Sequence, residues 1–395
     1  MSNQAELIEA LQRQKIDDAR QLLKSEENIP DNLDSFKNVA LFDILLRTKA
    51  FDIIDLFIDK GLIETDIYEY DTLERTFFDA AFRILEEDEE SVAFINNLMP
   101  RLSSINDAVS NKTLLGLAID QKAKPLILKA VIDGGADINT VNNAENTYLH
   151  QVANNYNPDA ALVSQYAQIL IDNGVDVNAR NIVGETPLMA AISRNQIKLA
   201  EVLLQNGAST NEQNKQGETP YYLAVVNLLS LPFYELLKGY EAPDFDKKTK
   251  DGVAFFFEFL KRTNSPSTTA NDLLKAMIAD GADLFQTSTH YSVEKTAFDI
   301  LAEKPFEVFE TVFKSTDLDV AHTDDQGNTL LHKVCAYNVN YDQNAARDTY
   351  KKTKLLIEAG ADANAVNAQE QTPMMLASAD NLKSKTVELL LQHSR

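Results

Sequence analysis

The residues that could do chemistry in this sequence are few and scattered. Cys335 is the lone cysteine and could act as a nucleophile, and His290 and His322 could act as paired ligands. No HExxH, GxxxxGK[ST] or GxSxG motif occurs, and one cysteine cannot build a CxxC metal site. We interpret Cys335 as a buried structural thiol and the two histidines as exposed surface. The sequence therefore predicts no catalytic residue, no metal site and no cofactor.

The elements that would position any site come from an internal repeat. Threonines recur at intervals close to 33 residues that deviate mainly upward, as insertions in a repeat would make them do. One slot of the series holds Ala254 instead of threonine. The threonines of the series are Thr113, Thr147, Thr186, Thr219, Thr296, Thr329 and Thr372.

Each copy combines signals for two helices and a turn. Threonine caps a helix, and the proline of Thr186-Pro187 suits the first helical turn, where its missing N–H costs nothing. Glycine suits the left-handed residue that ends the second helix, and asparagine starts the following turn, as in Gly174-Val175-Asp176-Val177-Asn178. The pattern predicts helix pairs that begin at the threonine slots, with hairpins near 139–146, 178–185, 211–218 and 364–371.

These motifs resemble the ankyrin repeat. The resemblance implies an all-α solenoid of helix pairs with protruding β-hairpin loops, with about eight repeats in one continuous solenoid over 105–395. Residues 1–104 show helical hydrophobic spacing without the glycine signature, and we interpret them as N-terminal capping or degenerate repeats. For His150 and His332, three residues after their threonines, the resemblance implies hydrogen bonding between neighbouring repeat turns.

Composition restricts the classes of partner. The chain has 37 Lys and Arg residues against 60 Asp and Glu residues, a net charge of −23. This charge argues against binding to nucleic acid or to an anionic membrane. The acidic run 86–90 could attract a basic partner or a cation, but we interpret it as a solvated loop between helices. With no apparent signal peptide or membrane span, we expect a cytoplasmic protein that is monomeric in isolation.

The resemblance also implies a binding surface, because partners of such repeats dock on the concave side formed by hairpin tips and first helices. The middle repeats place several basic residues at these positions, which suggests a locally basic groove in an acidic chain. The alternative is that exposed hairpin tips simply attract Lys and Gln. The candidate residues are Arg180, Ile182, Val183, Glu185, Arg194, Lys215, Gln216, Lys248, Lys250, Lys261 and Arg262.

Two irregularities leave further alternatives open. Three repeats carry insertions between their first and second helices, at 154–159, 263–266 and 338–343, and these loops could form a binding face or reflect drift. Glu145, Glu294 and Glu370 replace the glycine two residues before the threonine. Because glutamate resists positive φ, we expect a different turn in those hairpins.

The prediction for function is a non-catalytic module that binds another protein through a rigid concave surface. One alternative is an inhibitor, immunity-type or effector protein whose acidic surface masks a basic partner. The other is an enzyme whose site lies on the inserted loops or in the degenerate N-terminal region. Buried polar residues in 60–110 would favour the enzyme.

Overall fold

The computed structural model describes residues 3–29, 37–155 and 159–394, and it is almost entirely helical. The chain divides into two compact units, Met1–Ser209 and Thr210–Arg395, each treated by itself below. The predicted all-α fold of helix pairs is confirmed in both. The prediction of a single continuous solenoid stays a prediction.

The first unit consists of helix pairs in which first helices pack on first helices and second helices on second helices. Its helices are α1 (Asn3–Gln12), α2 (Ile16–Leu22), α3 (Lys37–Arg47), α4 (Phe51–Asp59), α5 (Phe77–Ile84), α6 (Glu89–Leu98), α7 (Leu114–Asp120), α8 (Pro125–Asp133), α9 (Tyr148–Asn154), α10 (Ala160–Asp172), α11 (Pro187–Ser193) and α12 (Ile197–Gln205), with 3-10 turns at Glu26–Asn28, Ile67–Glu69 and Met99–Arg101.

The second unit repeats the arrangement and adds a short sheet. Its elements are α13 (Pro220–Tyr222), which continues as a π-helix over Leu223–Asn227, α14 (Leu231–Lys238), α15 (Phe255–Arg262), α16 (Thr268–Ala279), β1 (Ser288–His290), β2 (Val293–Lys295), α17 (Ala297–Leu301), α18 (Phe306–Ser315), α19 (Leu330–Ala336), α20 (Gln343–Glu358), α21 (Pro373–Ala377), a 3-10 turn at Asn381–Lys383 and α22 (Ser384–His393).

A first helix begins one residue after every threonine slot, as the sequence predicts. In α7 and α11, the hydroxyls of Thr113 and Thr186 accept the third backbone N–H of the helix. Ala254 has no hydroxyl and cannot cap its helix in this way. Its own backbone N–H donates to the hydroxyl of Ser288, 3.1 Å away. The caps fix where each first helix starts and therefore where the preceding hairpin must end.

The N-terminal helix pairs also use these rules. Thr76 caps α5 as the later threonines cap theirs, although no glycine signature precedes it. Asp88, within the acidic run, caps α6 and pairs with Lys49 at 2.9 Å, and this pairing lowers the pKa of Asp88 to about 2. Glu86 and Glu87 lie in an exposed inter-helix loop, as predicted, whereas Glu89 and Glu90 form the exposed first turn of α6.

The hairpins are built on an Asx turn five residues before the threonine slot. In the most regular copy, the backbone N–H of Asn181 donates to Glu185, that of Gly184 donates back to Asn181, and the Asn181 carboxamide accepts from Val183 and Glu185. The same scheme recurs around Asn142, Asn214, Asp324 and Asn367, with Thr249 as a partial substitute.

The expectation of different turns at the glutamate positions is wrong at two of the three sites. Glu145 and Glu370 take φ of 59° and 58° and keep the Asx turn, close to the 75° of Gly184. Neighbouring bonds therefore outweigh the conformational cost of glutamate at these positions. The expectation is right at Glu294, which lies in β2, where Tyr291 and Ser292 form a two-residue turn instead.

Three buried lysines in the second unit are an arrangement that the sequence did not predict. The ammonium groups of Lys304, Lys352 and Lys383 donate to carbonyls at or just after the ends of α15, α17 and α19, with the oxygens at 2.7, 2.9 and 2.8 Å. Burial lowers the pKa of Lys304 and of Lys352 to about 8. Each lysine belongs to the repeat that follows the helix and donates to a carbonyl that the helix leaves without a partner. Its positive charge also interacts favourably with the negative end of the helix dipole.

Candidate binding surface on the hairpins

The first unit contributes one apolar hairpin tip to the candidate surface. Ile182 and Val183 are each 48% exposed, and the backbone N–H of Ile182 donates to the carbonyl of Ala144 on the preceding hairpin, 2.9 Å away. Arg180 on this hairpin and Arg194, just after α11, are also exposed. Glu185 is half-buried, and its carboxylate accepts a hydrogen bond from the Asn181 side chain within the turn.

The second unit brings two basic tips together. The backbone N–H of Lys250 donates to the carbonyl of Gln216 at 2.7 Å, which joins consecutive hairpins. A Cβ at Gly217 would lie 2.8 Å from the Lys250 nitrogen, so this close approach requires glycine. Lys215, Gln216 and Lys250 are exposed around this bond.

The remaining basic candidates interact with other residues of the chain, so they are less available to a partner than the sequence suggested. Lys261 and Arg262 both pair with the carboxylate of Glu258, at 3.0 and 2.7 Å. Glu258 is itself 7% exposed, and it was missed because it does not occupy a slot that the resemblance assigns to the surface. Its i,i+3 and i,i+4 spacing to Lys261 and Arg262 on α15 was the signal that could have revealed the pairing. Lys248 is half-buried and donates to the hydroxyl of Thr287.

The structure therefore places the candidates in two described groups. Arg180, Ile182, Val183, Glu185 and Arg194 lie in the first unit, and the six from Lys215 to Arg262 lie in the second. Continuity between the two groups stays a prediction. Within the second group, the cations without an ion-pair partner among the described residues are Lys215, Lys248 and Lys250.

His150 and His332 join neighbouring repeats, as the resemblance implied. Nδ1 of His150 accepts from the backbone and hydroxyl of Thr147, and its Nε2 lies 2.9 Å from the carbonyl of Glu185. His332 makes the equivalent bonds with Thr329 and with Gln371 of the next hairpin. An accepting Nδ1 and a donating Nε2 describe the neutral ring. Burial lowers the pKa of both histidines, in agreement with this state.

The lone cysteine and the two remaining candidate histidines contact residues of the fold. Cys335 is fully buried, and burial raises the pKa of its thiol to about 12, which suits a structural role. His290 lies in β1 beside Tyr291, and His322 packs against Phe285 with ring centroids 4.3 Å apart and the ring planes tilted by 49°. Within the ranges that the structure describes, no three His, Cys, Asp or Glu side chains converge as a metal site.

The inserted loops and the N-terminal region were the alternative locations for a site. Residues 156–158 of the first insertion lie outside the described residues. In the second, Asn264 accepts from the buried Lys304, and in the third, Tyr341 is 96% exposed. Over 60–110 the buried side chains are apolar apart from Ser91, which bonds to Asp88.

Across the described part of the chain, no helix combines the length and apolar character that crossing a membrane demands.

A comparison with protein-family models agrees with this geometry. A family model described as ankyrin repeats (3 copies) matches residues 115–214 and 160–251. The chain is similar to the solved ankyrin repeat domain of Bcl-3, a member of the IkappaB protein family, with 19% identity over 61% of this chain and 98% of that one and a TM-score of 0.47. It is also similar to the human ASB11 ankyrin repeat domain, with 18% identity over 63% of this chain and 99% of that one and a TM-score of 0.43.

No curated protein matches this chain in sequence. The family model covers the repeats whose threonine caps and Asx turns are most regular, and the same caps recur on both sides of it. On this evidence the chain is an ankyrin repeat protein.

Proposed function

We propose that this chain is a non-catalytic module that binds a partner protein on its exposed hairpin tips. Ankyrin repeats are generally protein–protein interaction modules. The observation that carries the proposal is the pair of tips joined by the bond from Lys250 to Gln216, with Lys215 and Lys250 exposed around it. A surface held by backbone hydrogen bonds loses little conformational entropy when a partner docks.

The chemistry of these tips favours an acidic segment of the partner. On the segments 213–216 and 248–251, Lys215, Lys248 and Lys250 outnumber Asp251, and Glu212 and Glu218 flank the first of these segments. No described residue forms an ion pair with Lys215 or Lys250, so both ammonium groups are available to a partner. Although the chain as a whole carries a charge of −23, a local positive field can still steer an acidic segment over short distances.

The first unit contributes a separate group to the proposal. Ile182 and Val183 would supply apolar contact on their tip, with Arg180, Glu185 and Arg194 as the polar surround. Lys261 and Arg262 would contribute less, because Glu258 offsets their charge. We place this activity in the cytoplasm, with the chain acting as a monomer.

The test begins with identification of the partner by affinity purification and mass spectrometry. Association rates are then measured at two salt concentrations for the wild type and for Lys215→Glu/Lys250→Glu. We expect the double variant to associate at least tenfold more slowly at low salt and to show a weaker salt dependence.

The matched control is Lys275→Glu/Lys314→Glu, which reverses two exposed charges on the second helices α16 and α18. The control should associate nearly as the wild type does, although it breaks the ion pairs of Lys275 with Asp272 and of Lys314 with Glu310. Lys215→Glu/Lys250→Glu should keep the wild-type unfolding midpoint. An unchanged or faster rate for Lys215→Glu/Lys250→Glu would refute the basic-tip proposal and favour a basic partner held by acidic faces.

A further inference from the structure

A cleft of about 720 Å³ opens in the second unit between the β1–β2 hairpin and the following turn, 324–328. Its walls come from both hairpins, and its inner end from the first turns of α17 and α19. None of the candidate binding residues from Arg180 to Arg262 lines this cleft, whereas His322 does.

The cleft lies where consecutive hairpin tips are not joined. Elsewhere in this unit a backbone N–H reaches the preceding tip, from Lys250 to Gln216, from Thr289 to Gly252 and from Ala368 to Gln326. Between the β1–β2 hairpin and the turn 324–328, the described residues form no backbone hydrogen bond. The hairpin that departs from the Asx turn is therefore also the one that leaves a gap before its next neighbour.

One side of this cleft is the outer edge of β2, the edge that faces away from β1 and that no further described strand pairs with. In the β1–β2 pair, Thr289 lies opposite Glu294, and the Thr289 N–H points outward to Gly252. By the alternation of an antiparallel pair, the backbone N–H and C=O of Glu294 point away from β1, toward the cleft. No other backbone group among the described residues bonds to them. Such an edge can accept a further strand.

The inner end of the cleft already holds a cation over an aromatic ring. The ammonium of Lys333 lies 5.6 Å from the centroid of Phe298 and 3.0 Å from the carboxylate of Asp299, and it also pairs with Asp324. Nearer the opening, Phe285 is 38% exposed and the tilted ring of His322 packs against it. These rings give the wall an aromatic face next to carboxylates.

The free charge of the cleft is negative. Four carboxylates line it, from Glu294, Asp299, Asp324 and Asp325, against the two ammonium groups of Lys295 and Lys333. Lys333 forms ion pairs with Asp299 and Asp324. Glu294 and Asp325 are exposed and form no ion pair with a described residue. A second cation would therefore find two available carboxylates beside an aromatic face.

We propose that this cleft binds an extended, basic peptide segment of a partner protein. The segment adds as a strand beside Glu294 and places one Lys or Arg side chain between Asp325 and the rings of Phe285 and His322. Main-chain pairing supplies affinity that depends little on sequence, and the cationic side chain supplies selectivity. This site is separate from the basic tips at Lys215 and Lys250, and it selects the opposite charge.

The test uses the full chain and a defined probe, the acetylated and amidated heptapeptide Thr-Lys-Thr-Arg-Thr-Lys-Thr, with affinity measured by calorimetry. A peptide with Glu at the three basic positions should not bind, and N-methylation of the central amides should weaken binding at least tenfold because it blocks strand pairing. Bound peptide should also slow hydrogen exchange at the Glu294 amide.

The variant Glu294→Gln/Asp325→Asn should weaken binding of the basic peptide about tenfold. Its matched control, Glu307→Gln/Asp317→Asn, removes two exposed carboxylates outside the cleft and should bind as the wild type does. The proposal is overturned if the basic peptide does not bind, if the control loses as much affinity as the cleft variant, or if N-methylation has no effect. Lys215→Glu/Lys250→Glu should still bind the peptide, so either proposal can fail without the other.

Discussion

The backbone N–H of Glu145 donates to the carbonyl of Asn142, 2.8 Å away, while Glu145 itself takes a φ of 59°. The equivalent bond in the next hairpin runs from Gly184 to Asn181, where glycine takes this conformation without strain. The Asx turn is thus strong enough to hold a glutamate in the left-handed region.

Replacing these glutamates with glycine should stabilise the protein. Glu145→Gly and Glu370→Gly remove an unfavourable left-handed residue, and we expect each to raise the free energy of unfolding by about 0.5–1 kcal/mol. Urea denaturation measures the change. Glu294→Gly is the control, because Glu294 lies in β2, and there glycine should lower stability. A loss of stability at all three positions would contradict the assignment of strain.

Gly217→Ala should separate two hairpin tips. The added Cβ would lie 2.8 Å from the Lys250 nitrogen and from Thr249 backbone atoms, so we expect a cost of about 1–3 kcal/mol in unfolding free energy. Gly61→Ala is the matched control, since Gly61 has a similar positive φ but nothing within 4 Å of its Cβ position. Equal costs for the two variants would show that φ strain alone, without the close approach, determines the effect.

His332 should make stability depend on pH below neutrality. Its folded pKa lies below the ordinary 6.5, so the unfolded chain binds more protons as the pH falls through 6.5, and the stabilisation from the neutral ring is then lost. His332→Gln should cost about 1–3 kcal/mol at pH 8. The difference in unfolding free energy between wild type and variant should narrow at pH 5, and a constant difference would refute the neutral-ring interpretation.

Lys352 should also make stability rise with pH, but in an alkaline range. Burial lowers its folded pKa to about 8, so between pH 8 and the ordinary value of 10.5 the unfolded chain binds more protons than the folded one. The wild type should therefore gain stability relative to Lys352→Met as the pH rises from 8 to 10.5. Thermal unfolding of both proteins across this range measures the gain, and other titrating groups cancel in the comparison. If the wild type instead lost stability relative to Lys352→Met over this range, the lowered pKa of Lys352 would be contradicted.

Leu203 lies in the core of the most regular repeat. It is fully buried and Leu204 is 3% exposed, as predicted for the second helix α12. Leu203→Ala should lower the free energy of unfolding by about 2–5 kcal/mol. Val202→Ala on the half-exposed side of α12 is the control and should cost less. Similar costs at both positions would show that the inward face of α12 is assigned wrongly.

The sequence by itself determined the positions of helix starts and turns. Threonine caps, prolines in first turns and Asx residues act on backbone groups within four residues, so their effects can be inferred from neighbouring positions. For that reason the starts of the first helices were predicted correctly from Thr113 to Thr372. The asparagine expected to start the turn, Asn178, instead bonds to Gly207 and Ser209 of the next repeat, and the turn is built on Asn181. The roles of His150 and His332 were implied by the resemblance to ankyrin repeats.

Tertiary structure decided which of these residues present a usable surface. Glu258 offsets Lys261 and Arg262, and Lys304 and Lys352 reach carbonyls about one repeat earlier. The cleft beside Glu294 exists because one hairpin uses a two-residue turn and does not bond to its next neighbour. Burial, charge pairing and the gap between hairpins depend on residues that are distant in sequence and come together only when the repeats stack.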